Sequence, residues 1–405
     1  MTVDRVLALD SPIRRYAWGS VDFIPSMVGL PVTGEPAAEL WMGAHPAAPC
    51  LVAGTGESLA TVIAADPKAT LGAACLDRFG EKLPFLLKVL AAAAPLSIQV
   101  HPNLAQARAG FAEEDARGVP IGAPNRNYAD PNHKPELICA LTDLDALCGF
   151  RPVDDSARLL RALIDVGALG LTGYPERLQA PGGLREVVTA LLSLTARHRA
   201  QLHESVLPAC ATVESSRSEW SMESAWIGRL AQAYPNDAGV ILALLMNLVR
   251  LAPGEALFLS AGRIHAYLRG AGVEIMAASD NVVRCGLTPK HVDVPELLRV
   301  LDFDTEDARP LRPQPTMNGV RRYPTSVLDF VLNEVRLADG EFVLVAAEGP
   351  QILLCTEGEV AVAVESGDGK DLRLAIARGH AVFVAAGTPV SIAGDGQLFL
   401  ASTNL

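Results

Sequence analysis

The sequence predicts a mainly β protein with an α-helical insertion, and three features of its patterning carry that expectation. Short apolar runs broken by Gly, Pro and Asn dominate residues 1 to about 150. Apolar residues then recur at three- and four-residue intervals up to about residue 250, and short runs return from Pro253 onward. Short runs bounded by turn residues suit strands, whereas a period between three and four suits amphipathic helices.

Leu40–Ala44, Leu83–Ala91 and Leu137–Leu141 are expected as strands. In the second, a single Lys88 sits among Leu86, Leu87, Val89 and Leu90, too short a set to favour a helix. After Arg151 and Pro152 the character changes. Asp154 and Asp155 precede Leu159, Leu160, Leu163 and Ile164, and Leu184, Val187, Val188, Leu191 and Leu192 repeat the helical spacing. Asn236 or Asp237 should cap a helix running through Leu248, and His198 and His203 should face solvent from this helical unit. The β pattern on both sides makes the first barrel discontinuous, residues 1–150 plus 251–325, with 151–250 inserted. Over 326–405, the runs Glu341–Val345, Gln351–Cys355, Val360–Val364 and Ala381–Val384 are separated by turn signals at Thr356–Gly358 and Ala386–Pro389. They predict a second, smaller barrel or sandwich, whose only histidine is His380.

A chain of 405 residues, half of them apolar, can fill two or three domains and bury a large core. Its formal charge of −12 and lack of a basic block argue against a nucleic-acid partner, whose phosphates need clustered Lys and Arg. Seven scattered cysteines, never spaced as CxxC, suit free thiols in a reducing cytoplasm. No secretory pattern opens the chain. The most apolar stretch, Val240–Val249, contains Asn247 and falls short of the roughly 20 residues a membrane span needs. A cytoplasmic protein with no membrane partner is expected.

The chemistry begins at Gln99 and His101, two apart inside the apolar run Pro95–Pro102. On a strand both side chains point the same way, so an amide oxygen and an imidazole would converge on whatever the strand encloses. A buried histidine with a local hydrogen bond is the ordinary reading of an isolated Gln-x-His. Three further segments argue otherwise: Asn132–Glu136, Arg263–Tyr267 and Ala278–Arg284 each set polar residues beside an apolar run. A carboxylate and two imidazoles near an apolar barrel are costly unless paired or metal-bound. One divalent cation would satisfy Gln99, His101, Glu136 and His265 together.

The runs Tyr16–Gly19, Glu39–Trp41, Leu83–Leu90, Ser97–Pro102, Asn132–Glu136 and Ile264–Lys290 resemble the type I mannose-6-phosphate isomerases, zinc enzymes built on the cupin barrel. The two longest blocks, Ser97–Pro102 and His265–Arg284, agree in order and spacing. The resemblance implies a cupin-type catalytic barrel, a helical domain and a second cupin-like domain at the C-terminus. It implies one Zn2+ per chain, held by Gln99, His101, Glu136 and His265. It implies a small sugar-phosphate substrate lined by Arg284, Lys134 and Tyr267, with Lys88, Ser97 and Lys290 as further neighbours. A monomer is expected.

Interconverting mannose 6-phosphate and fructose 6-phosphate means moving a proton between C1 and C2 through an enediol. Zinc with an open position can polarise the carbonyl oxygen. Lys134, Glu274 and a metal-bound water are the candidate bases, and Arg284 is a fixed positive donor to the developing oxyanion. Two other classes stay open at this level: an iron-dependent cupin oxygenase, which Gln99 disfavours by filling a position such enzymes leave free, and a non-catalytic sugar-phosphate-binding module.

Overall fold

Two ten-stranded sheets and a helical unit make up the fold of the computed structural model, which describes residues 5–305, 308–316, 319–346, 348–364 and 372–405. All strand pairs between named strands are antiparallel in the first sheet, which surrounds the candidate site. Its spine is the strand His265–Ala277. The first half of that strand pairs with Ile98–Val100 and Leu144–Phe150, the second half with Phe85–Ala92 and Glu136–Ala140. The register slips between Tyr267 and Arg269, and Gly270 follows with φ +115°. A Cβ on Gly270 would come 2.5 Å from the carbonyl oxygen of Asp143, so glycine is required at this close approach.

That slip reverses which residues face inward. Before it, Ala266 and Leu268 pack into the helical unit's core while His265 and Tyr267 face the barrel. After it, Ala271, Val273 and Ile275 pack toward the C-terminal sheet while Glu274 and Met276 line the cavity. Phe85–Ala92 follows the same rule: Phe85, Leu87, Val89 and Ala91 point back, and Leu86, Lys88 and Leu90 point in. Strands buried on both faces read as unbroken apolar runs, which is why Leu83–Ala91 shows no alternation in sequence.

The helical unit fills Val153–Leu245. Leu159, Leu160 and Leu163 of Val153–Asp165 and Leu184, Val187, Val188 and Leu191 of Gly183–Leu192 are buried at the expected spacing. Two expectations fail here. Asp237 does cap a helix, accepting from the Gly239 amide at 2.7 Å, but that helix ends at Leu242. Met246–Leu251 is a strand paired with Leu144–Phe150, because Asn247 donates to the Cys148 and Phe150 carbonyls and fixes the chain against that strand. His203 is buried rather than solvent-facing, its Nε2 3.1 Å from the Asp237 carbonyl, while His198 is exposed.

The second sheet collects the C-terminal strands, and it also takes Val6–Asp10, which pairs with Ala381–Val384. The first strand therefore sits apart from the barrel expected over 1–150. Gln351–Cys355 and Val360–Val364 are one strand, not two: Gln351–Val364 keeps its pairing with Val390–Ser402 through a bulge at Cys355/Glu357. Gly358, at φ +69°, bends the strand instead of ending it. One core joins the two sheets, with Leu87, Val89, Leu137, Val273 and Ile275 meeting Ile352, Phe383 and Phe399.

Ile275 is fully buried in that shared core, so Ile275→Ala should cost about 2–5 kcal/mol, whereas Phe342→Ser on an exposed edge strand should cost less than about 0.5 kcal/mol. Urea denaturation of both variants tests this. Equal midpoints would mean the two sheets do not share a core.

Candidate metal centre and active site

Register alone brings the site together. Gln99 is the partner of both His265 on one neighbouring strand and Arg284 on the other. Residues opposite one another in an antiparallel pair share a face, so all three side chains point the same way. His101, two residues beyond Gln99, falls on that face as well. Glu136 enters from a different edge, as the first residue of Glu136–Ala140.

His101, Glu136 and His265 are all buried, and their potential ligand atoms lie within 4.8 Å of one another. His101 Nε2 is 3.3 Å from Glu136 Oε1, and His265 Nε2 is 3.4 Å from Oε2. Neither Nε2 nor Oε2 has a hydrogen-bond partner. Buried polar atoms without partners are costly, and three aimed at one point suit a shared cation. The outer ring nitrogens agree. His101 Nδ1 donates to the Asn281 carbonyl at 2.7 Å and His265 Nδ1 to the Arg263 carbonyl at 2.9 Å. A carbonyl only accepts, so both Nδ1 atoms carry the proton and both Nε2 atoms keep a lone pair for a metal. Nitrogen and oxygen donors of this kind fit zinc.

Electrostatics favour the same protonation states. Burial pulls the His101 imidazole down to about 4, keeping it neutral. Burial opposes charge on Glu136 too, but the neighbouring Lys134 ammonium opposes burial, and the carboxyl is held well below its ordinary value. Lys134 Nζ lies 3.2 Å from Glu136 Oε1.

These donors open onto a cavity of about 400 Å³ whose lining includes Ser97, Gln99, Lys134, Glu136, Tyr267, Glu274, Arg284 and Lys290. Lys88 lines it as part of a row crossing three strands, since Lys88 is the register partner of Glu274 on one side and Trp41 on the other. Its ammonium lies 3.0 Å from Glu274 and 3.5 Å from Glu39, and the Trp41 indole donates to Glu39 at 2.8 Å. Burial disfavours the Lys88 charge, yet Glu274 and Glu39 raise its pKa above the ordinary lysine value. Burial raises the Glu274 pKa, with Lys88 opposing. Burial and then Glu274 push the Tyr267 hydroxyl well up.

All eleven residues expected at the site meet here, either at the metal donors or on the cavity wall. Glu39 and Trp41 were not assigned roles from sequence, although Glu-x-Trp on an apolar strand carries the same two-residue signal as Gln-x-His. Asp280, 3.2 Å from His45, and Tyr234, contributed by the helical unit, also reach the cavity. No local pattern marks Tyr234. Asn281 is fully buried and binds the backbone of Ala129, Asp130 and Asn132 through its side chain while its carbonyl orients His101. His133 turns away from the cavity to Asp329, at 3.0 Å.

The fold and site define a cupin-type barrel enzyme with a buried two-histidine, one-carboxylate metal set. Residues 6–153 match the family model described as phosphomannose isomerase type I, catalytic domain. The chain is 40% identical over 400 residues to mannose-6-phosphate isomerase of Escherichia coli strain K12, covering 96% of this chain and 97% of that one. It is 32% identical to the Homo sapiens enzyme of the same name, over 97% and 96%. A crystal structure of mannose 6-phosphate isomerase bound with zinc and yttrium superposes with a TM-score of 0.88 at 36% identity, covering 99% of this chain and 100% of that one. The chain belongs to the type I phosphomannose isomerase family. No helix among the described residues is long and apolar enough to cross a membrane.

Stripping metal should make stability depend on pH through His101. The unfolded imidazole takes up a proton near 6.5, while the folded one waits until about 4. The unfolded state thus binds more protons in that window, and stability present above it is lost as pH falls. Thermal midpoints of chelator-treated protein should drop between these pH values, and less steeply in His101→Gln. An equal slope in the variant would refute the assignment.

Proposed function

We infer that this chain interconverts mannose 6-phosphate and fructose 6-phosphate, using one zinc ion held by Gln99, His101, Glu136 and His265. The observation that carries this reading is the trio of buried, unpartnered donor atoms opening onto a cation-lined cavity. Zinc bound there would act as a Lewis acid on the sugar's carbonyl oxygen. The chain's own side chains do the rest. Ser97 and Lys290 receive the phosphate, with exposed Lys290 at the rim. Arg284 stays protonated and faces the same side as Gln99 and His265, where it can offset negative charge growing on the enediol oxygens.

Lys134 is the cavity-wall amine nearest the metal donors and is assigned the proton transfer between C1 and C2. Glu274 is engaged by Lys88, so this pair sets the charge of the opposite wall beside Tyr267. Tyr16 and Trp18, stacked with ring centroids 5.6 Å apart, cover one side and limit water entry. Seven free, buried cysteines suit a reducing cytoplasm.

A coupled assay converting mannose 6-phosphate to fructose 6-phosphate tests the activity. Turnover should be lost on chelation and restored by added zinc. Activity that survives complete metal removal would overturn the reading. His101→Ala and His265→Ala should each lose stoichiometric zinc, and retention in both would move the metal elsewhere.

Arg284→Ala should lower kcat by about 100-fold or more, the scale of losing a transition-state donor, with a smaller change in KM. A rise in KM at constant kcat would instead make Arg284 a ground-state binding residue. For Lys134→Met, exchange of the sugar's C2 hydrogen with deuterated solvent should disappear while zinc content holds. Continued exchange would transfer the base role to Glu274.

A further inference from the structure

A second cleft, of about 470 Å³, lies behind the active site where the catalytic barrel meets the C-terminal sheet. The two cavities share no lining residue. Arg78 and Lys82, from one stretch of chain, and Arg108, from the helix Leu104–Ala116, line it together. All three are exposed, and none forms an ion pair with a carboxylate among the described residues.

Two carboxylates also line the cleft, but both are engaged. Asp130 accepts from Ser279 Oγ at 2.9 Å, from the Asp280 amide at 2.8 Å and from the Asn132 amide at 2.9 Å. Asp329 is held by His133 at 3.0 Å. Three cations without ion-pair partners thus share the cleft with two carboxylates that are hydrogen-bonded elsewhere, which leaves the lining with more positive than negative groups. In a chain of net charge −12, that local surplus of positive charge marks a place for an outside anion. Leu83, Leu104 and Leu328 supply an apolar floor beside the charges.

We propose that this cleft binds a phosphate-bearing small molecule, separately from the substrate. The phosphate sits between Arg78, Lys82 and Arg108, and its remaining part lies on the apolar floor. Arg–phosphate contacts are charge-assisted and often bidentate, which favours phosphate over a simple halide. The site abuts the catalytic one along the chain, since Asn132 and His133 line this cleft and Lys134 lines the other.

Inorganic phosphate is the probe, titrated calorimetrically into the zinc-loaded protein at low salt. Wild type should bind two phosphates per chain. Lys82→Gln/Arg108→Gln should weaken one event by about tenfold or more, the scale of losing charge-assisted contacts, and leave kcat and KM for mannose 6-phosphate within about twofold. Lys290→Gln, at the residue that receives the substrate phosphate, should keep the cleft event and weaken the other. Arg78→Gln gives an independent check, because its side chain is exposed and removable without opening the core. A single event in wild type that Lys290→Gln weakens, or two events untouched by the cleft variants, would overturn the proposal. Because the Lys290→Gln arm reads the catalytic cavity alone, failure of the cleft and failure of the isomerase reading give different patterns.

Discussion

His265–Ala277 delivers side chains to the cavity from both of its halves, and it can do so only because its pairing slips by one residue between Tyr267 and Arg269. A regular strand would keep odd positions on one face throughout. Then His265 and Tyr267 would face the metal while Glu274 and Met276 pointed into the core between the sheets, an expensive place for a carboxylate. The slip and Gly270 put His265, Tyr267, Glu274 and Met276 on a single concave wall. The same device gives the strand two sets of neighbours, so His265 meets Gln99 while Glu274 meets Lys88.

The donors are held in place before any ligand arrives. Backbone carbonyls of Asn281 and Arg263 fix both imidazole tautomers, and neither carbonyl depends on a side chain that could rotate away. Asn281 is in turn locked by the backbone of Ala129, Asp130 and Asn132, immediately before Lys134 and Glu136. One buried amide therefore positions a histidine through its carbonyl and the Glu136 segment through its side chain. Orientation by groups just behind the ligands is what gives a metal site its affinity and geometry.

Much of the site could be read in the sequence because its donors obey local rules. Gln99 lies on a short strand and His101 directly follows its last residue, while Glu136 and His265 each begin a strand, so polar residues stand out against apolar neighbours. What escaped detection depends on distant chain segments. Whether Met246–Leu251 is helix or strand is decided by Leu144–Phe150, nearly a hundred residues earlier. His203 looks like a surface residue on its own helix and is covered by the Asp237 turn. The Gln351–Val364 bulge resembles a turn in sequence because glycine serves both, and only the unbroken partner Val390–Ser402 distinguishes them.

Front and back faces of the same strands explain why the C-terminal sheet is present at all. Lys88, Glu136 and Glu274 face the cavity, so Leu87, Val89, Leu137, Val273 and Ile275 must face the other way. Left uncovered, those five would expose a large apolar patch behind the active site. The C-terminal strands cover it with Ile352, Phe383 and Phe399, and Val6–Asp10 extends the cover from the other end of the chain. The sheet that carries no metal ligand thereby fixes the strand register on which the ligands depend. A one-residue slip in any front-face strand would turn a charged residue into this core, at a cost of several kcal/mol. Catalytic geometry and the packing of a domain without catalytic residues are in this fold the same constraint.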